Sequence, residues 1–210
     1  MRCSIVHVAI AVLMLNATAD AASISFSTDP FAGSAALTTP GRQVVGSEVF
    51  TTFNITDVFA FDPVVFGISS IQFANDVVGN LPTSGVNGVV LRTFDNDGDP
   101  GTPFGAGNAA NLIAEQLTSS GAGLFMYFNS GLDLPRLVFS TDLSDNTSDL
   151  KVLARFTNLS GQVGKDAFPT ITAANFAVPE PSSTLAVMMS AGGLLAARSV
   201  FRRRRSRVRD

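Results

Sequence analysis

Cysteine, histidine and tryptophan are almost missing from this chain, and the little there is excludes much chemistry. The 210 residues hold one cysteine, Cys3, one histidine, His7, one tyrosine, Tyr127, and no tryptophan. Cys3 and His7 lie in a stretch with the form of a secretory leader. Arg2 is followed by an apolar run from Ile5 to Leu15 and then by the small residues Ala17-Thr18-Ala19-Asp20-Ala21-Ala22. Ala17-Thr18-Ala19 and Ala19-Asp20-Ala21 both satisfy the Ala-x-Ala cleavage rule, and residues 1–22 are assigned to the signal peptide. The run is too short to span a bilayer, which takes about 20 apolar residues. Removing the leader takes the only thiol and the only imidazole with it. A disulfide, a Ser-His-Asp triad, a Cys-His pair and a zinc or copper site built on His or Cys are thereby excluded from the body.

Basic residues are scarce as well. Between Ser23 and Val178 there are six (Arg42, Arg92, Arg136, Lys151, Arg155, Lys165) against 14 acidic ones, a net charge of −8. An acidic surface of this kind disfavours nucleic acid as a partner. Seven of the 14 basic residues of the chain crowd instead between Arg198 and Arg209, next to its end.

What the body does have is short Val-, Ile- and Phe-rich segments separated by Gly, Ser, Thr, Asn and Asp. That punctuation predicts strands over residues 23–27, 48–55, 64–74, 89–94, 123–129, 136–141, 150–158 and 170–177. In the seventh of these Leu150, Val152, Ala154 and Phe156 fall on one face, with Lys151 and Arg155 toward water. Residues 108–117 carry good helix formers with Leu112, Ile113 and Leu117 at helical spacing. The expected fold of residues 23–177 is an all-β, antiparallel, jelly-roll-like β-sandwich with that one short helix. The phenylalanine-rich composition is assigned to its core.

Within the body the sharpest constellation is Asp95-Asn96-Asp97-Gly98-Asp99-Pro100-Gly101. Asp95, Asp97 and Asp99 stand at alternate positions, as in the opening of a calcium loop. Pro100 replaces the glycine expected next, and Ala106 stands where a bidentate glutamate belongs. A Ca²⁺ site and a plain acidic turn are therefore both open readings. A second acidic group, Asp142, Asp145 and Asp149, reads as a solvated loop between strands. A carboxylate pair could in principle hydrolyse a glycosidic bond, but nothing in the chain selects one, and no catalytic residue is assigned. The sequons at Asn54, Asn146 and Asn158 are at chance level in so Asn-, Ser- and Thr-rich a body.

The C-terminal segment is a different kind of sequence. Val178-Pro179-Glu180-Pro181 breaks the β pattern, because both prolines lack an amide donor and favour extended backbone. An apolar run, Leu185 to Ala197, and the arginine cluster follow. From Ser182 to Ala197 a helix would rise roughly 24 Å, short of the ~30 Å hydrocarbon layer unless Arg198 snorkels and Phe201 is included. A single transmembrane helix is predicted over 183–201, with the arginines in the cytoplasm and the body outside.

Pro179, Glu180 and Pro181, the short apolar helix with Gly192-Gly193 and the terminal arginines together resemble a PEP-CTERM sorting domain; the resemblance runs from Val178 to roughly Arg203, and residues 178–210 are assigned to the sorting tail. The resemblance implies recognition by a membrane-embedded exosortase, with Pro179, Glu180 and Pro181 as the sorting motif. It also implies a cell-surface or extracellular-matrix destination, transient anchoring through the C-terminal helix, and a structural or adhesive role linked to exopolysaccharide and biofilm. The competing expectations are a carbohydrate-active enzyme and a permanently anchored, calcium-dependent binding module.

Overall fold

The computed structural model of the protein describes residues 21–180. Ten strands follow in order: β1 (Ser23–Phe26), β2 (Val44–Val45), β3 (Val49–Thr51), β4 (Val58–Phe61), β5 (Phe73–Asp76), β6 (Gly88–Leu91), β7 (Gly123–Asn129), β8 (Leu134–Ser140), β9 (Leu150–Phe156) and β10 (Phe176–Ala177). Helix α1 (Pro63–Phe66) lies between β4 and β5, α2 (Ala106–Ala114) between β6 and β7, and α3 (Gly161–Ala167) after β9. Two 3₁₀ turns, Phe168–Thr170 and Ala173–Asn175, lead into β10.

The strands form two sheets. The smaller has the order β1-β4-β10, and both of its pairings are parallel. The larger runs β2-β9-β8-β7-β6-β5, with β3 also paired to β9. In it only β7-β8 and β8-β9 are antiparallel; β2-β9, β3-β9, β5-β6 and β6-β7 are parallel. Parallel neighbours need long crossovers, and residues 92–122, which carry α2, make one between β6 and β7.

This corrects the expected antiparallel, jelly-roll-like β-sandwich with one helix: the described residues form mixed sheets with three short α-helices. The reason is visible in β7. All seven of its residues are buried, because both faces of the large sheet are covered. On one face Val90, Leu124, Met126, Phe128, Leu137, Phe139 and Phe156 meet Phe59, Phe61 and Phe176 of the small sheet. On the other, Val89, Leu91, Phe125, Tyr127 and Val138 meet Ala109, Ala110 and Ile113 of α2, along with Phe104 and Leu117. Strands buried on both faces read as unbroken apolar runs, the signature of parallel strands between two layers. Gly88–Leu91 and Gly123–Asn129 carry that signature in sequence. Most of the described phenylalanines line the core, chiefly as tilted and edge-on pairs such as Phe66 against Phe139 at 5.0 Å, while Phe50 is exposed.

Three local expectations are also corrected. Residues 64–74 are not one strand, because Asp62 accepts from the amides of Val64 (2.9 Å) and Val65 (3.2 Å) and Pro63 opens α1. Only Phe73 and Ala74 of that stretch are strand, as the start of β5. In β9 the pattern flips part-way: Leu137 opposes Ala154 but Val138 opposes Val152, leaving Leu153 as a bulge. Leu150 and Val152 thus join the α2 side of the sheet, while Ala154 and Phe156 join the other. Arg155 turns to the Glu48 carboxylate instead of to open water. The predicted membrane helix over 183–201 lies outside the described residues; among those described, no helix is long and apolar enough to cross a membrane.

Candidate functional site

Each carboxylate of the Asp95–Asp99 loop is turned onto the backbone just ahead of it. Asp95 Oδ1 accepts from the amide of Asp97 (3.2 Å), Asp97 Oδ1 from Asp99 (2.9 Å) and Asp99 Oδ1 from Gly101 (2.8 Å). The Asp97 amide is the main cause holding the Asp95 carboxyl below its ordinary range. The loop is a chain of Asx turns with Gly98 at φ +74° where the chain reverses. Asp95, Asp97 and Asp99 are not brought to a common centre. Among the described residues no group of three or more His, Cys, Asp or Glu side chains could hold a metal ion.

The second acidic group divides in two. Asp142 and Asp145 make local turns onto Ser144 and Thr147. Asp149 is buried and reaches across the fold, accepting from the amides of Leu37 and Gln43, each at 2.6 Å. Arg42 reinforces the same clamp. Its guanidinium donates to the carbonyls of Ser148 (3.0 Å) and Gly107 (3.0 Å) and to Asn111 Oδ1 (2.7 Å), tying the 28–43 loop to α2. These residues build the scaffold.

The basic residues, so few in the body, show where its polar chemistry is spent. Arg136 and Arg155 oppose each other across β8 and β9. Both donate to Glu48 Oε1, Arg136 at 2.8 Å. The three side chains are 14%, 22% and 7% exposed for Arg136, Arg155 and Glu48. Burial pushes the Glu48 carboxyl up, but the charge and hydrogen bond of Arg136, joined by those of Arg155, outweigh it and leave the carboxyl below its usual range. Arg155 also lies over the exposed ring of Phe50, 4.7 Å from its centre.

Lys151 donates to the carbonyl of Gly46. Arg92 and Lys165 line one cleft of about 340 Å³ with Phe94, Gln162, Asp166 and Pro169. It opens just beyond the carboxyl ends of the parallel strands β5 and β6, a position where open sheets with parallel strands commonly receive ligands. Arg92 pairs with Asp76 at 2.9 Å, and its Nε is buried without a partner. The Lys165 ammonium lies 5.8 Å from the centre of the Phe94 ring and 5.1 Å from that of Phe128, and makes no ion pair among the described residues. A cation, an amide and an aromatic wall in one concavity suit a polar ring ligand. No motif flags this cleft, since its residues come from positions 92–94 and 162–169.

No family model, curated protein or solved structure matches this chain. The site therefore stands on its own geometry.

Of the expected sorting motif, Pro179 and Glu180 are described, and Pro181 lies outside the described residues. Phe176 and Ala177 pair with Phe59 and Ala60 of β4. Val178 packs against the core, and Pro179 and Glu180 are exposed. These two border an apolar groove of about 300 Å³ formed with Phe26, Phe61, Pro63 and Val64. Val64 is 87% exposed there.

Proposed function

We propose that the protein is an exported, non-enzymatic surface or matrix component, delivered through its C-terminal Pro179-Glu180-Pro181 tail by an exosortase. The observation that carries this reading is the junction. Among the described residues the last packed on the core is Val178, and the motif begins at the next position with both described residues exposed. A cut at the motif would leave every described strand in place. The acidic body, without thiol or imidazole, and the predicted leader agree with it.

Mass spectrometry of the C-terminus of the exported protein tests the proposal. A new terminus near Pro181 is the expected result, and an intact Arg202–Arg209 tail in the final product would refute it. The Arg92–Lys165 cleft supports contact with a polysaccharide as the role of the body. Exopolysaccharide pull-down by the full chain should weaken in Lys165→Gln; retention equal to that of the natural chain would remove the cleft from this role.

A further inference from the structure

Asp57 is 2% exposed, yet no cation reaches it: the ion pairs of the described residues join Arg92, Arg136 and Arg155 to other carboxylates. Its Oδ2 accepts from the amide of Asn54 (2.8 Å) and its Oδ1 from the backbone nitrogen of Ala22 (2.9 Å). A buried carboxylate held only by neutral amides is costly, because buried charges ordinarily find a counter-charge. Ala22 is itself pinned at the mouth of the small sheet, its carbonyl accepting from Val58 (2.9 Å) one position before β1 begins.

The nitrogen that meets Asp57 belongs to the residue immediately after Ala19-Asp20-Ala21, one of the two sites that satisfy the leader-cleavage rule. We infer that the leader is cut after Ala21, and that the α-ammonium this creates on Ala22 is the missing counter-ion of Asp57. Hydrolysis of the Ala21–Ala22 peptide bond puts the carboxylate on Ala21 and the new amine, protonated below its ordinary pKa of about 8, on Ala22. The nitrogen stays where the amide was. Its hydrogen bond to Asp57 becomes charge-assisted, shorter and stronger. The alternative cut, after Ala19, would leave Ala22 an ordinary amide and would keep Asp20, a second carboxylate, two residues from it. Export and folding are thereby coupled: the small sheet gains its terminal ion pair only once the leader is gone.

The inference rests on the export reading, and its failure is separable from failure of that reading. Intact mass and N-terminal sequencing of the protein recovered from outside the cytoplasm should show Ala22 as the first residue. A first residue of Met1, Asp20 or Ser23 overturns the inference and leaves export standing; a protein found only in the cytoplasm, with Met1 intact, overturns both. The second measurement is a melting comparison of the chain beginning at Ala22 with a free or an acetylated N-terminus. Acetylation removes the charge and keeps an N–H donor, so the fold is preserved while the melting temperature should fall by several degrees. In an Asp57→Asn background the same acetylation should have no effect. Equal melting of the free and acetylated chains would overturn the ion pair.

Discussion

Glu48 offers the sharpest test of how the body is held together, because one carboxylate separates two guanidiniums. Glu48→Gln keeps the shape and removes the charge, leaving Arg136 and Arg155 face to face across β8 and β9. Like charges directly opposite in a sheet repel, and both Nε atoms are already buried without partners. Breaking a fully buried pair costs roughly 3–5 kcal/mol, and an exposed one roughly 0–1 kcal/mol. Side chains 7–22% exposed lie between these limits, so a loss of about 2–3 kcal/mol is expected, or ~5–10 °C in melting temperature for a domain of this size. The pH dependence has a definite sign. The folded pKa of Glu48 is depressed, so its contribution is present above the ordinary carboxylate range and is lost as pH falls through the folded value. Thermal melts from neutral to acid pH should converge for the natural chain and Glu48→Gln, and adding Arg136→Met should restore part of the loss at neutral pH. A neutral-pH difference under about 0.5 kcal/mol, the usual scale of surface substitutions, would refute the reasoning.

Asn175→Ala should lose about 3 kcal/mol in denaturant unfolding, because the buried amide donates to the carbonyls of Ile55 (2.7 Å) and Asp57 (2.9 Å) and accepts from Thr172 (2.9 Å), and each orphaned group costs about 1–3 kcal/mol. A loss below about 1 kcal/mol would mean that water replaces the side chain. Gly164→Ala, a gain by helix propensity, should instead destabilise. The added methyl would meet the Leu159 carbonyl and lie 2.9 Å from Phe128 Cε2, and a chemical-denaturation midpoint above that of the natural chain would contradict the packing of α3 on β7. The melting temperature should be the same in EDTA and in millimolar Ca²⁺, since Asp95, Asp97 and Asp99 each serve the amide two residues ahead; a clear rise with Ca²⁺ would show that the loop reorganises around a cation.

The chain's own chemistry determined a good deal without any fold. The confinement of the only cysteine and histidine to positions 3 and 7, the acidic body and the change of character at Pro179 depend only on composition and order along the chain. Strand positions in the long meander were equally legible: β7 matches its expected limits, and β8 and β9 fall within two residues of theirs. The helix expected at 108–117 appears as Ala106–Ala114.

Tertiary structure decided the rest. Whether neighbouring strands run parallel or antiparallel depends on which crossovers the core can cover, and short apolar segments between turns read alike in both cases. The four residues of β4, at the centre of the small sheet, are strand because β1 and β10 flank them; alone, a run so short between Asp57 and Asp62 carries no strand signal. Leu153 is a bulge only because β8 supplies the register against which it is extra. Asp57, Glu48 and the Arg92–Lys165 cleft were invisible for the same reason. Each draws its partners from positions far apart in the chain, and a charge becomes chemically informative only when packing determines what stands beside it.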